Sequence, residues 1–247
     1  MPGRHTLRYH LLNRLAESHG LSRAAFALLG GRAGSRDGVR VAGAHTDLVL
    51  EGPPGAGLEG VRRALEAVGG GLRLAHGVGL PFQLARAARF SVPCLVALLP
   101  PLDSLADSAV PEAAAGQEAH VSPEAVCLRY ALFYEEAARH PGIIHLAPAE
   151  DLDRNLDQVL RGLVNHFPSL GHLLDEQALA VAWQEAARQA RQGPMRLDRS
   201  ARAVLGESLL ADPAFAPLFR RAWTAYKALD RLAREQVQGR VKGHGKG

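Results

Sequence analysis

Residues 46–68 constrain this chain more than any other stretch. TDLVL (Thr46–Leu50) is a short β-branched and apolar run, EGPPGAG (Glu51–Gly57) is a glycine-rich turn, and LEGVRRALEAV (Leu58–Val68) is built of helix formers with apolar positions at Leu58, Val61, Leu65 and Val68. A buried strand that passes through a glycine turn into a helix opens an α/β unit.

The rest of the chain extends that unit. LRLAH (Leu72–His76), CLVALL (Cys94–Leu99) and IIHL (Ile143–Leu146) each have the length of a strand. Helical segments separate them, at Pro81–Phe90, at Leu102–Val110, and in a longer stretch opened by Ser122 and Pro123. That stretch carries Val126, Tyr130, Phe133, Tyr134 and Ala137 on one face. Alternating strands and helices predict an α/β fold, a mostly parallel sheet with helices on both faces. After residue 151 the pattern is helical only. Leu152, Leu156, Val159, Leu160, Leu163 and Phe167 read as one amphipathic helix, and residues 175–192 and 198–210 as two more. Phe215, Leu218, Phe219, Trp223, Tyr226 and Leu229 form a last one, opened by Asp212 and Pro213. The expected organisation is a helical lead (Leu7–Leu29) with a glycine-rich connector (Gly30–Gly38) in residues 1–44, an α/β domain in 45–170, a helical C-terminal extension in 171–237, and a disordered basic tail in 238–247.

Charge is uneven along the chain. Residues 1–40 carry seven arginines against Glu17 and Asp37, and the tail adds Arg240, Lys242 and Lys246, while the whole is only +4. The middle is therefore net acidic, and without aromatic–basic interleaving a nucleic-acid partner is not expected. No stretch is apolar for the roughly 18 residues that cross a bilayer. The first ten residues are basic and lack the apolar run of a secretory signal, and Cys94 and Cys127 make neither a disulfide framework nor a metal cluster. A cytoplasmic setting is expected, and no metal.

A phosphate-cradling loop aims backbone N–H groups inward and adds the positive end of a helix. Gly52, Pro53, Pro54, Gly55, Ala56 and Gly57 have that backbone chemistry. In a complete nucleoside-triphosphate loop, Lys and Ser/Thr follow the last glycine; here Leu58 and Glu59 stand there. This argues against an ordinary ATPase or kinase. A Glu59 carboxylate ~5 Å from a phosphate would repel it by about 3 kcal/mol at an effective dielectric of ~20, and could itself occupy the anion seat.

The order of features resembles bacterial sulfotransferases, a branch of the P-loop fold. EGPPGAGLEG (51–60) is similar to that family's loop, AHGVGLPFQL (75–84) to the segment after its second strand, and LVALLPPLDSLAD (95–107) to its third strand and following helix. LRYALFYEE (128–136), IIHLAPAEDL (143–152) and LVNHF (163–167) fit the later segments, so the likeness covers about residues 45–170. It implies transfer of a sulfuryl group from 3′-phosphoadenosine 5′-phosphosulfate (PAPS) to a hydroxyl or amine of a small-molecule acceptor, or a protein partner where transfer is lost. The donor would be held at 52–59, Leu99, Asp107 and Ser108. Gly52, Pro54, Gly57, Pro81, Gln83, Pro101, Asp103, Tyr130, Phe133 and Tyr134 keep the family pattern. The departures fall on the chemistry. Gly55 stands where the basic loop residue would be, Ala56 at the loop Ser, Glu59 at the Thr, Leu99 at the Arg for the 3′-phosphate, and Asp107 at its Ser, with Ser108 adjacent. Of a histidine cluster only His76 remains, Gly77 and Gly79 replacing the others. Each charged hydrogen bond contributes ~1.5–3 kcal/mol, so an eroded donor site is expected, with loss of activity or a changed ligand.

His76 closes the second strand at the carboxyl edge and is the candidate general base; a structural role is the other reading. His145 reads as a core residue, and Glu150 and Asp151 follow the fourth strand, where a catalytic or substrate-orienting carboxylate would sit, with a helix cap as the other reading of Asp151. Arg62, Arg63, Arg86 and Arg89 are the candidates for replacing the lost charges in a still-active enzyme. A third reading is an interaction module presenting residues 197–237 to a partner.

Overall fold

The computed structural model of the protein describes residues 41–68, 71–77, 79–109, 123–189, 199–213 and 215–243. The expected Leu7–Leu29 helix and the Gly30–Gly38 connector lie outside the described residues. Among the described residues four strands, β1 (Leu48–Glu51), β2 (Leu74–His76), β3 (Cys94–Leu98) and β4 (Ile144–Pro148), form one sheet in the order β2-β1-β3-β4. Every pairing is parallel, with Leu50 opposite His76 on one side and Leu95 on the other. The strands read as near-continuous apolar runs because helices cover both faces of the sheet.

The helices are α1 (Leu58–Val68), α2 (Pro81–Arg89), α3 (Pro101–Ala109), α4 (Pro123–Arg139), α5 (Ala149–Arg154), α6 (Leu156–His166), α7 (Glu176–Gln189), α8 (Arg199–Ala211) and α9 (Ala216–Gly243). Three of them, α2, α3 and α4, begin on a proline, whose fixed φ suits the first turn and whose missing N–H costs nothing there. Alternation along the strands divides the core in two. Val49, Val96 and Leu98 point to a cluster with Leu84 of α2, Phe133 and Tyr134 of α4, and Phe219 and Leu229 of α9. Leu48, Leu50, Leu95 and Ala97 point to the opposite cluster, with Val61 and Leu65 of α1, Leu160 and Leu163 of α6, and Leu179 of α7.

Two tyrosines fix the end of β3. Tyr130 and Tyr134 lie one turn apart on α4, so their side chains reach the same place. The Tyr134 hydroxyl accepts from the Leu99 N–H at 3.0 Å and donates to the Ala97 carbonyl at 2.9 Å, while the Tyr130 hydroxyl donates to the Leu99 carbonyl. The rings meet edge to face at 4.6 Å. Burial pushes both phenols above their ordinary pKa, so both remain neutral donors.

Two expectations need correction. The single helix read across Leu152–Phe167 is two, α5 and α6, broken at Asn155, where φ is −132°. Asn155 ends α5 by donating its backbone N–H to the Asp151 carbonyl at 2.7 Å and its side-chain amide to Asp151 Oδ1 at 3.0 Å. The apolar period runs on through the break and conceals it. The last helix continues to Gly243, past residue 238, where the disordered tail was expected to begin. Ion pairs one turn apart, Arg234–Asp230 at 2.7 Å and Arg231–Glu235 at 3.8 Å, support the helix up to that point.

Candidate functional site

The first crossover of the chain leads from β1 to β2 on one side, and the next returns to β3 on the other. The crevice beyond the carboxyl ends of β1 and β3 is therefore the switch point of the sheet, the place where open parallel sheets take ligands. The Gly52–Gly57 loop lies there, between β1 and α1. Gly55 and Gly57 both adopt φ of +78°, a backbone conformation that other residues resist.

At its C-terminal end this loop turns side chains inward. Ala56 is 2% exposed and belongs to the core beneath α1, and Leu58, at the position of a phosphate-binding lysine, packs partly buried against the same cluster. Leu99, where the resemblance would place an arginine, is 1% exposed in that cluster, with its backbone taken by the two tyrosines. Asp107 and Ser108 lie in the last turn of α3.

Glu59 does not take the anion seat. Arg62 on the next turn donates Nε and Nη2 to its carboxylate at 2.8 and 2.5 Å, and Arg63 Nε reaches it at 2.8 Å. The Arg62 hydrogen bonds, more than those of Arg63, hold the carboxyl down to about 2. The same contacts engage the two arginines proposed as substitutes, Arg62 being bound to Glu66 as well at 2.7 Å. Arg86 donates instead to the Ala42 carbonyl at 2.8 Å, and both Arg86 and Arg89 stack against Phe90.

A different carboxylate approaches the loop. Asp153 Oδ1, from α5, lies so close to Gly57 that a Cβ on that glycine would sit 2.7 Å from it. The protein thus places its own negative charge beside the residue that precedes α1, where the helix N-terminus favours an anion.

On the other side of the loop a shallow cleft with about 210 Å³ of open space is lined by Pro53, Pro54, Gly79, Ser104, Val126, Arg129, Tyr130 and Phe133. Its enclosed space is only about 10 Å³, room for little more than one water, so a nucleotide does not fit this cleft as it stands. Arg129 lines this cleft together with Pro53 and Pro54 of the loop, and the sequence reading did not single it out. It lies about 75 residues from the loop, and only the packing of α4 brings it there.

Glu51 was likewise missed. It is the last residue of β1 and wholly buried, with Oε2 accepting from the Leu80 N–H at 3.3 Å and Oε1 lacking a hydrogen-bond partner among the described residues. Burial pushes its pKa up to about 8, against the opposing pull of the Leu80, Gly79 and Gly52 amides.

His76 ends β2 at the carboxyl edge, half-buried, as expected. His145 is 4% exposed in β4, its ring 5.8 Å from that of His166, in keeping with a core residue. Glu150 is exposed, and Asp151 lies within the first turn of α5, which has no side-chain cap. Cys94 and Cys127 are buried and free, with burial raising both thiols, Cys127 to about 12. Among the described residues no group of three or more His, Cys, Asp or Glu could hold a metal ion, and no helix is long and apolar enough to cross a membrane. Comparison of the chain with models of protein families, with curated proteins and with solved structures found no match.

Proposed function

We propose that this protein is sulfotransferase-like, with the loop and crevice of a donor-binding site but without the grip on PAPS that sulfuryl transfer needs. It acts through a changed ligand or as a binding protein. The observation that carries this reading is the Asp153 carboxylate against Gly57. A phosphosulfate seated at the start of α1 would meet a like charge there, and because Asp153 is exposed the repulsion is screened, about 1–4 kcal/mol for two unit charges ~4 Å apart at or near a protein surface. The inward packing of Ala56, Leu58 and Leu99 removes three of the positions from which compensation would come. Two free, buried cysteines accord with a reducing, cytoplasmic setting.

The test is calorimetric titration with 3′-phosphoadenosine 5′-phosphate at low salt. The expected result is no heat at millimolar ligand. Binding in the micromolar range would overturn the proposal.

Arg129 favours a second reading, an active PAPS-dependent enzyme whose lost loop charge comes from α4. In that case the same titration would give micromolar binding, and Arg129→Met would weaken it at least tenfold. A partner-binding role for the last helix is less well supported, because Phe215, Phe219, Ala222 and Leu229 bury its apolar face against the body of the protein.

A further inference from the structure

The apolar face of α9 is buried against the body of the protein, and its outer face is basic. Between Ala216 and Gln236 the helix carries Arg220, Arg221, Lys227, Arg231 and Arg234 against Asp230 and Glu235. All five cations are exposed. Arg220, Lys227, Arg231 and Arg234 recur at intervals of seven, four and three residues, the period that keeps side chains on one side of a helix. At ~1.5 Å per residue the stripe runs about 21 Å. Folding thus lines up charges that the sequence scatters among apolar residues.

These cations are loosely held. Arg220 and Lys227 make no ion pair among the described residues, and the Lys227 ammonium lies 5.7 Å over the Trp223 ring. Arg231 is 3.8 Å from Glu235, both side chains being largely exposed. Arg234 reaches Asp230 at 2.7 Å, and Arg221, on the flank, reaches Glu135 of α4 at 2.7 Å. Exposed pairs of this kind add little to stability and exchange for another anion. Asp103 and Glu150 face Tyr226, which packs on the core side of the helix, and Asp103 is already held by Arg202 at 2.8 Å.

We propose that this stripe of α9 binds the phosphate backbone of a double-stranded nucleic acid. The stripe is linear and one helix wide, which matches a row of phosphates. A helix that lies on a bilayer sinks apolar side chains into it, but Phe219, Ala222 and Leu229 are spent on the core, and the exposed positions from Arg220 to Arg234 hold no apolar side chain. A protein partner would need an apolar or aromatic anchor at the centre of its contact, and the same positions offer none. For phosphate, charge and hydrogen-bond donors suffice, and arginine supplies both. The stripe shares no residue with the Gly52–Gly57 loop or its cleft, so binding here does not depend on the donor site.

The experiment is fluorescence anisotropy of the full chain with labelled DNA and RNA duplexes of about 20 base pairs, from about 50 mM salt upward. Binding to at least one duplex in the micromolar range is expected, weakening with salt at a log–log slope near about −3, as for three to four phosphates. Arg220→Ala combined with Lys227→Ala, both exposed and outside the ion pairs, should weaken binding at least tenfold and bring the slope toward about −1. In the wild-type chain, amide NMR shifts on adding duplex should cluster between Arg220 and Arg234. Equal binding by the double variant, or shifts confined to other elements, would place the contact on other basic residues, those of residues 1–40 included, and overturn the proposal. Failure to bind either duplex at low salt would overturn it too, whether or not phosphatidylserine vesicles are bound instead.

Discussion

The side-chain amide of Gln236 pairs with Leu146 as a neighbouring strand would. Its oxygen accepts from the Leu146 N–H at 3.2 Å, and its nitrogen donates to the Ile144 carbonyl at 2.9 Å. Among the described residues β4 is the terminal strand on that side of the sheet, so one glutamine of α9 pairs two backbone groups of an edge. Gln236→Leu leaves both groups unpaired at a partly buried site, at a cost of about 1–3 kcal/mol. Urea denaturation should register the loss, and light scattering near the unfolding midpoint should register association through the open edge. An unchanged midpoint would show that water serves the edge equally well.

Tyr134→Phe removes a hydroxyl that serves as both acceptor and donor. The buried Leu99 N–H and Ala97 carbonyl then lose a partner together, and stability should fall by about 1–3 kcal/mol. Tyr130→Phe removes a single donor, and the effect should be the smaller of the two in the same denaturation assay.

Stability should depend on pH through Glu51. With a folded pKa raised to about 8 from the ordinary 4.5, the folded chain keeps a proton that the unfolded chain has released. The contribution is complete below pH 4.5 and declines by up to about 1.4 kcal/mol per pH unit as the pH rises to 8, above which it levels off. Glu51→Gln should flatten that decline relative to wild type in urea titrations from pH 5 to 9. Parallel curves for the two proteins would exclude the raised pKa.

Gly77→Ala should destabilise the protein. Its methyl would collide with the end of the buried Glu51 side chain, so the carboxyl must shift within the core. A loss of about 2–4 kcal/mol is expected, in the range of overpacked or strained cores. Glu51→Ala in the same chain should recover part of it, because the colliding group is gone. Additive losses in the double variant would refute the packing argument.

The sequence exposes the sheet and hides the site, for a physical reason. Strands and helices announce themselves through local period, and the run from Leu48 to Val68 was legible as strand, turn and helix. Asn155 breaks a helix without breaking its apolar period, so the break could not be read. Glu51, Asp153 and Arg129 converge on one loop from three separate elements. Nothing local marks Glu51 as buried, because a glutamate after a strand reads as solvent-facing. Glu59 misled for the opposite reason: adjacency to the loop suggested an anion seat, but Arg62 and Arg63 on the same helix draw it outward.

The Gln236 contact also sets an order of events during synthesis. Its partners on β4 are 90 and 92 residues earlier in the chain. At roughly 5–20 residues per second, a ribosome needs about 5–18 s to travel that distance. For that interval β4 can join β3 while the Leu146 N–H and the Ile144 carbonyl await Gln236, and a crowded polysome would bring several such edges together. The nascent protein is therefore most exposed to wrong pairing late in translation, just before its last helix emerges.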